Sequence, residues 1–195
     1  GVRLVGSEMC IRDRCCSTLA SAGINLAPGI AHLEDNNIEY VIDVDGNIQF
    51  PGNGYQLKVG DRLRTVFEIE NSKTISGSVV QDLGGAQELT GLAEIQITAI
   101  IPTGISSTIV FGPSPSFIAE VGVPGAVVVM YEQAAGDLDM ACQSGTLTPV
   151  ADCEAAAING NHWLTAGFGD ADDFWLSLGA ATSIDAVAVI PGSQN

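Results

Sequence analysis

Two histidines, Cys142 and Cys153 of the five cysteines, and three runs of acidic residues are the groups in this 195-residue chain from which chemistry could be built. Nucleophilic catalysis needs an imidazole that a carboxylate orients beside a Ser or Cys. Only His32 and His162 are available, and no Gly-x-Ser-x-Gly elbow occurs, which removes the α/β-hydrolase signature. His162 stands beside Trp163 at the start of an expected strand, where a structural role is the plainer assignment. Cys142 and Cys153 flank Ser144-Gly145 and Thr148-Pro149, turn chemistry able to bring their Cα atoms together. One disulfide, Cys142–Cys153, is therefore expected, with two packed free thiols as the alternative. Zinc is disfavoured, because two sulfurs and two distant histidines make a poor tetrahedral set.

The acidic runs are Asp137-Leu138-Asp139, Asp170-Ala171-Asp172-Asp173 and Asp43-Val44-Asp45-Gly46-Asn47. Carboxylates clustered on turns suit Ca²⁺, a hard cation that takes six to eight oxygens. Asp170, Asp172 and Asp173, with help from Asp137 and Asp139, are the candidate ligands; a solvated acidic turn is the simpler alternative at each place. None matches the twelve-residue Ca²⁺ loop, and for Asp45-Gly46 a hairpin turn is the stronger reading. Trp163 and Trp175, with Phe168 and Phe174 close by, are candidates for a sugar-stacking platform, against the alternative that they fill a core. Glycoside cleavage would need two carboxylates, from Asp170, Asp172, Asp173 or Glu132, facing one another across a groove that also presents a tryptophan. With two separated histidines and no basic residue after Lys73, no hydrolase activity of its own is expected.

Charge narrows the class further. Seven Lys and Arg against 23 Asp and Glu give a net charge of −16, which excludes a nucleic-acid binder because a phosphate backbone demands a basic face. The chain is 46% hydrophobic and 15% charged, too apolar for a disordered acidic tail. No apolar run of eighteen residues occurs, so no helical membrane span is expected.

The elements that must position these groups follow a period of two. Ile38, Tyr40, Ile42 and Val44 share one face of a strand, and Asp45-Gly46 then turns the chain into residues 47–50. In residues 61–70, Leu63, Thr65, Phe67 and Ile69 are expected inward while Arg62, Arg64, Glu68 and Glu70 point to water. In residues 94–101, Glu94, Gln96 and Thr98 are expected on the solvent face and Ile95, Ile97, Ala99 and Ile101 on the core face, with Pro102 ending the strand. Residues 125–131 are apolar without alternation, as in a strand covered on both sides. Further strands are expected at 107–111, 117–121, 162–168, 174–178 and 184–190. A short helical turn over 153–157, capped by Asp152, competes with an Ala-rich strand edge. About ten short strands without a convincing amphipathic helix predict an all-β fold, an antiparallel sandwich or jelly-roll-like barrel.

The first residues stand apart. Val5-Gly6-Ser7-Glu8-Met9-Cys10-Ile11-Arg12-Asp13 back-translates to GTGGGCTCGGAGATGTGTATAAGAGAC, and residues 3–14 resemble a translated sequencing adapter. Residues 1–14 are accordingly set aside from the fold. Cys15-Cys16-Ser17-Thr18-Leu19-Ala20-Ser21-Ala22 ends in Ala-x-Ala, the pattern signal peptidase recognises, so residues 15–22 are taken as the remnant of a signal peptide and residues 23–195 as one β-sandwich domain. A lipoprotein cysteine at Cys15 or Cys16 is the alternative. Export and a secreted or cell-surface location are thereby expected.

Gly60-Asp61-Arg62-Leu63, Glu88-Leu89-Thr90-Gly91-Leu92, Trp163-Leu164-Thr165-Ala166-Gly167-Phe168 and Asp172-Asp173-Phe174-Trp175 resemble secreted bacterial surface proteins of the PEP-CTERM type, loosely and over roughly residues 55–180. That resemblance implies an exported β-rich region preceding a sorting tail; the chain ends Pro191-Gly192-Ser193-Gln194-Asn195 without the Val-Pro-Glu-Pro motif. The expected role is a noncatalytic cell-surface or extracellular-matrix component whose partners are polysaccharide or other surface proteins. A carbohydrate-binding or glycoside-cleaving module and a surface-filament subunit are the alternatives. A chain beginning at Gly23 is expected to melt at the same temperature as the full chain in a thermal scan; a loss of several degrees would make the leader part of the core.

Overall fold

The structure is a computed structural model and describes residues 32–50, 52–74, 76, 78–82, 87–104, 106–134, 138, 150–169 and 175–180. It is mainly antiparallel β: nine strands and two short helices among the described residues. In chain order these are β1 (His32–Ile42), β2 (Ile48–Gln49), β3 (Arg62–Lys73), β4 (Val79–Asp82), β5 (Gln87–Pro102), β6 (Ser107–Pro113), α1 (Pro115–Val121), β7 (Ala126–Ala134), α2 (Val150–Ala157), β8 (Asn161–Gly167) and β9 (Trp175–Ala180). The expected strand over 184–190 lies outside the described residues.

The nine strands lie in six lanes. β2 pairs β1, β1 pairs β3, and β3 carries both β4 and β5 along its other side. The sixteen-residue β5 is the spine. Its first half pairs β7, from Gln87↔Ala134 to Ala93↔Val128, and its second half pairs β6, from Ile95↔Pro113 to Pro102↔Ser107. β6 and β7 therefore run in one lane, broken at Glu94, where the chain leaves the sheet as α1 and comes back. The sixth lane is broken beside it, since β8 pairs β7 and β9 pairs β6.

Proline explains the break. Pro113 ends β6, and Pro115 sits in the first turn of α1, where its missing N–H would have had no helical partner. Ser114 caps that helix by accepting from the Phe117 N–H, and Gly122 closes it in the left-handed region at φ 75°. Residues 117–121, expected as a strand, are thus helical: the caps at both ends outweigh the β preference of Phe117, Ile118 and Val121. The turn expected at 153–157 is part of α2, which begins three residues earlier, at Val150.

Alternation places even-numbered residues of β1, β3 and β5 on one face and odd-numbered residues on the other. On the first face Tyr40, Val66 and Leu92 join Val129, and α1 and α2 cover them with Phe117, Cys153 and Ala157. Burying Phe117 alone stabilises the α1 docking by about 1.5–3 kcal/mol. The opposite face holds two further clusters, Phe67, Ile69 and Leu89, and Val41, Ile95 and Ile97 with Ile109 and Phe111 of β6. Both faces of β3 and β5 are therefore covered. The wet face expected for Arg64 and Glu94 is instead the helix-covered face, and both residues are buried; Thr98, near the far end of β5, is exposed as expected.

The turn after β1 is longer than a two-residue hairpin. Ile42 pairs Ile48, and residues 43–47 make the connection through Asp43 N–H to Asn47 C=O at 2.9 Å and Gly46 N–H to Asp43 C=O at 2.9 Å.

At Gly91 the β5 and β7 backbones pack too closely for a side chain: a Cβ there would lie 2.2 Å from the Val129 carbonyl oxygen and 2.7 Å from Phe67 Cζ. Gly91→Ala must push β7 off the spine or distort Phe67, and a loss of about 1–3 kcal/mol is expected from chemical denaturation. An unchanged midpoint would mean that the two ladders are not held this tightly.

Candidate functional site

The densest set of ionisable side chains lies where the fifth lane breaks. Arg64 of β3 and Glu94 of β5 are direct cross-strand partners on the helix-covered face. Strand geometry thus sets an opposite-charge pair side by side before either helix is added. Arg64 Nη1 donates to Glu94 Oε2 at 2.8 Å, with the Arg64 side chain 6% exposed and that of Glu94 sealed at 0%.

Both helices then close on this pair. From α1, Glu120 takes a bidentate grip on Arg64, Nη1 and Nη2 each donating at 2.8 Å. From α2, Glu154 Oε1 lies 2.6 Å from Arg64 Nε and also accepts the Tyr40 hydroxyl of β1. Glu94 Oε1 accepts from the Ser114 hydroxyl at 2.5 Å, the Ser116 hydroxyl at 3.0 Å and Arg62 Nη1 at 3.3 Å. The guanidinium also lies 5.6 Å from the centre of the Phe117 ring. Three carboxylates thus face two guanidiniums. Glu120 and Glu154 keep partial contact with solvent, their side chains 41% and 25% exposed.

The electrostatics follow from these contacts. For Glu94, burial acts to raise the pKa, but the Ser114 hydrogen bond and the Arg64 and Arg62 charges outweigh it and hold the carboxyl below its ordinary value. Burial and the hydrogen bond to Glu154 push the Tyr40 phenol far up, so it stays a donor. Burial also opposes the charged form of Arg64, yet Glu120, Glu94 and Glu154 together raise its pKa above the ordinary value. A permanently protonated guanidinium is neither acid nor base; this constellation fastens helices to a sheet.

Other buried polar groups are committed in the same manner. Asp61 is fully buried and accepts from the Tyr55 hydroxyl at 3.1 Å and the Lys58 N–H at 2.7 Å. Burial and that hydrogen bond to Asp61 push the Tyr55 phenol up to about 12. Glu88 Oε1 accepts from Gln133 Nε2 at 2.9 Å and from the Leu138 N–H at 2.7 Å. Thr90 Oγ1 donates to the Ala157 carbonyl at 2.8 Å, tying the last turn of α2 to the spine.

The acidic turn after β1 is a hairpin connection rather than a cation loop. Asp43 Oδ1 accepts from the Asp45 and Asn47 N–H groups and Asp43 Oδ2 from Asn47 Nδ2 and Gln49 Nε2, at 2.8–3.1 Å. These donors, the Asn47 N–H first, hold the Asp43 carboxyl below its ordinary range. Its lone pairs are already used by N–H groups.

Asp137, Asp139, Cys142, Asp170, Asp172 and Asp173 lie outside the described residues. Among the described residues no three His, Cys, Asp or Glu side chains are arranged to hold a metal ion. Cys153 is buried on α2 against the core beneath the helices and is not a free side chain. Trp163 of β8 is partly buried against Phe67, Ile69 and Leu89 with Met130. Trp175 pairs Phe111, which pairs Ile97, whereas β8 flanks β7 beside the Gly91↔Met130 pair. The two tryptophans thus enter on different strands, at levels about six residues apart along the spine. Glu132 of β7 is buried between Leu89 and Asn161 on the neighbouring strands, with Oε1 lacking a hydrogen-bond partner. His162 is exposed, stacks edge-on against Tyr131 with ring centres 5.8 Å apart, and has Nε2 2.8 Å from Thr165 Oγ1. Among the described residues no carboxylate is bonded to its ring.

Sequence patterning missed Arg64, Glu94, Glu120 and Glu154 as a unit. The signal that finds them is register: opposite charges meet across β3 and β5 only once those strands are aligned. Comparison of the chain with protein family models, with curated proteins and with solved structures finds no match.

Removing Arg64 leaves three carboxylates with only Arg62 to balance them. Arg64→Met is expected to cost about 3–5 kcal/mol in urea denaturation, the range for stranding a buried charge. Arg64→Met with Glu94→Leu is expected to recover part of that loss, because the fully buried carboxylate goes with its partner. If the double variant is no more stable than the single one, the cluster is not held together by this pair.

Proposed function

We propose that this chain is the exported, noncatalytic β domain of a cell-surface or extracellular-matrix protein, with polysaccharide or other surface proteins as partners. The observation that carries the reading is the use made of the interior ionisable groups. Arg64, Glu94, Glu154, Tyr40 and Asp61 bind one another, the helices and backbone N–H groups, which is the chemistry of a fastening rather than of a turnover site. The acidic surface accords with it: the 122 residues from Thr74 to Asn195 contain no Lys or Arg, a composition that keeps an extracellular domain soluble through charge repulsion.

The same reading includes a sandwich or jelly-roll-like closure of the sheet. It also includes a Cys142–Cys153 disulfide that closes a short loop at the start of α2 and contributes on the order of 3 kcal/mol on the loop-entropy model. Where a metal is bound, the reading assigns Ca²⁺ to Asp170, Asp172 and Asp173, with Asp137 and Asp139.

A carbohydrate-binding module is the second reading, and one observation favours it: Trp163 lies on β8, flanked by the exposed His162 and Leu164, where a sugar ring could reach the strand. The two readings separate in one experiment. The purified chain, incubated with a panel of polysaccharides, is expected to release no reducing sugar and to be retained on none of them more strongly than Trp163→Ala. Retention that Trp163→Ala abolishes transfers the assignment to the carbohydrate module, and release of reducing sugar overturns the noncatalytic reading.

A further inference from the structure

We propose that α1 is an acid-released cover: protonation of the carboxylates around Arg64 frees this helix while the sheet and the last turn of α2 stay in place, baring the apolar face beneath. The argument rests on how each helix is fastened. α1 is held at its start by Ser114 and Ser116 on Glu94 and at its end by Glu120 on Arg64. Among its side chains only Phe117 is buried. Both attachments run through carboxylates, with one further bond at the start, Arg62 Nη1 donating to Ser116 Oγ at 2.8 Å. α2 is held through Glu154 in the same cluster, but its last turn is also tied by Thr90 to the Ala157 carbonyl, a neutral bond that acid leaves intact, and it buries Cys153 and Ala157.

The groups facing the Arg64 guanidinium are Tyr40 from β1, Arg62 from β3, Glu94 from β5, Glu120 with Phe117 from α1, and Glu154 from α2. Glu94 is held below its ordinary value of 4.5. The stabilisation it contributes is therefore complete above that value and is lost as pH falls through the lower value of the folded chain. The strand ladders are backbone bonds, and the opposite face has its own apolar clusters. The surface uncovered is that of β7, the strand α1 packs on, with Val129 of the helix-covered cluster.

Hydrogen exchange read by mass spectrometry on the full chain tests this at pH 7 and about pH 3.5, with rates corrected for the intrinsic effect of pH. Peptides spanning α1 are expected to exchange on the order of tenfold faster in acid, while those of β3, β5 and the end of α2 keep their protection, and an apolar dye gains fluorescence over the same interval. Glu120→Gln is expected to bring part of the α1 loosening to pH 7. The proposal is overturned if α1 remains as protected as the strands at pH 3.5, or if all segments lose protection together in one transition. It is equally overturned if Glu120→Gln folds and leaves α1 protection at pH 7 unchanged; the wild-type titration decides should that variant not fold.

Discussion

Arg64 and Glu94 face each other across two central strands at 2.8 Å, under a roof of helix. Neither charge could be left there alone, because an unpaired ion out of water is strongly destabilising. Their neighbours follow from that constraint. The second lone pair of Glu94 needs donors, and Ser114 and Ser116 supply them from the start of α1. The rest of the guanidinium needs opposite charge, which Glu120 supplies from α1 through two hydrogen bonds and Glu154 from α2 through an ion pair at Nε. The position of both helices on the sheet is thus set by the valences of one ion pair as much as by apolar contact.

This arrangement also concerns the distribution of charge. Beyond residue 14 the chain has four basic side chains, Lys58, Arg62, Arg64 and Lys73, and two of them are spent in the cluster. The acidic groups of the second half consequently have few basic side chains on their own chain to pair with. Self-repulsion raises the energy of the compact state, and a concentrated knot of opposite charge between sheet and helices is one place where that repulsion turns into attraction.

Alternation made β1, β3 and β5 legible, because a residue period of two survives whatever covers the strand, and an unbroken apolar run marked β7. It failed on which face is wet. Polar residues at alternate positions of 61–70 and 94–101 read as solvent-facing, yet Arg64 and Glu94 satisfy each other and so tolerate burial. The helix α1 was hidden for another reason: Phe117, Ile118 and Val121 favour strands one by one, while Ser114, Pro115 and Gly122 mark the ends of a helix and decide the matter. The hairpin after Ile42 was foreseen at the right place but with too short a turn, because the Asp43 carboxylate organises five residues rather than two.

The fifth and sixth lanes are each made of two strands that stop and resume, at the level of Glu94 on the spine. Register in an unbroken ladder is unforgiving, since one added residue turns every following side chain to the other face. Here β6 and β7 take their register separately from β5, and β8 and β9 take theirs from β7 and β6. Residues gained or lost between Gly122 and Ala126, beyond α1, or between Gly167 and Trp175 therefore shift neither half. The break provides the fold with two adjacent places where length can vary, side by side at the middle of the spine, while the strands on either side stay in step.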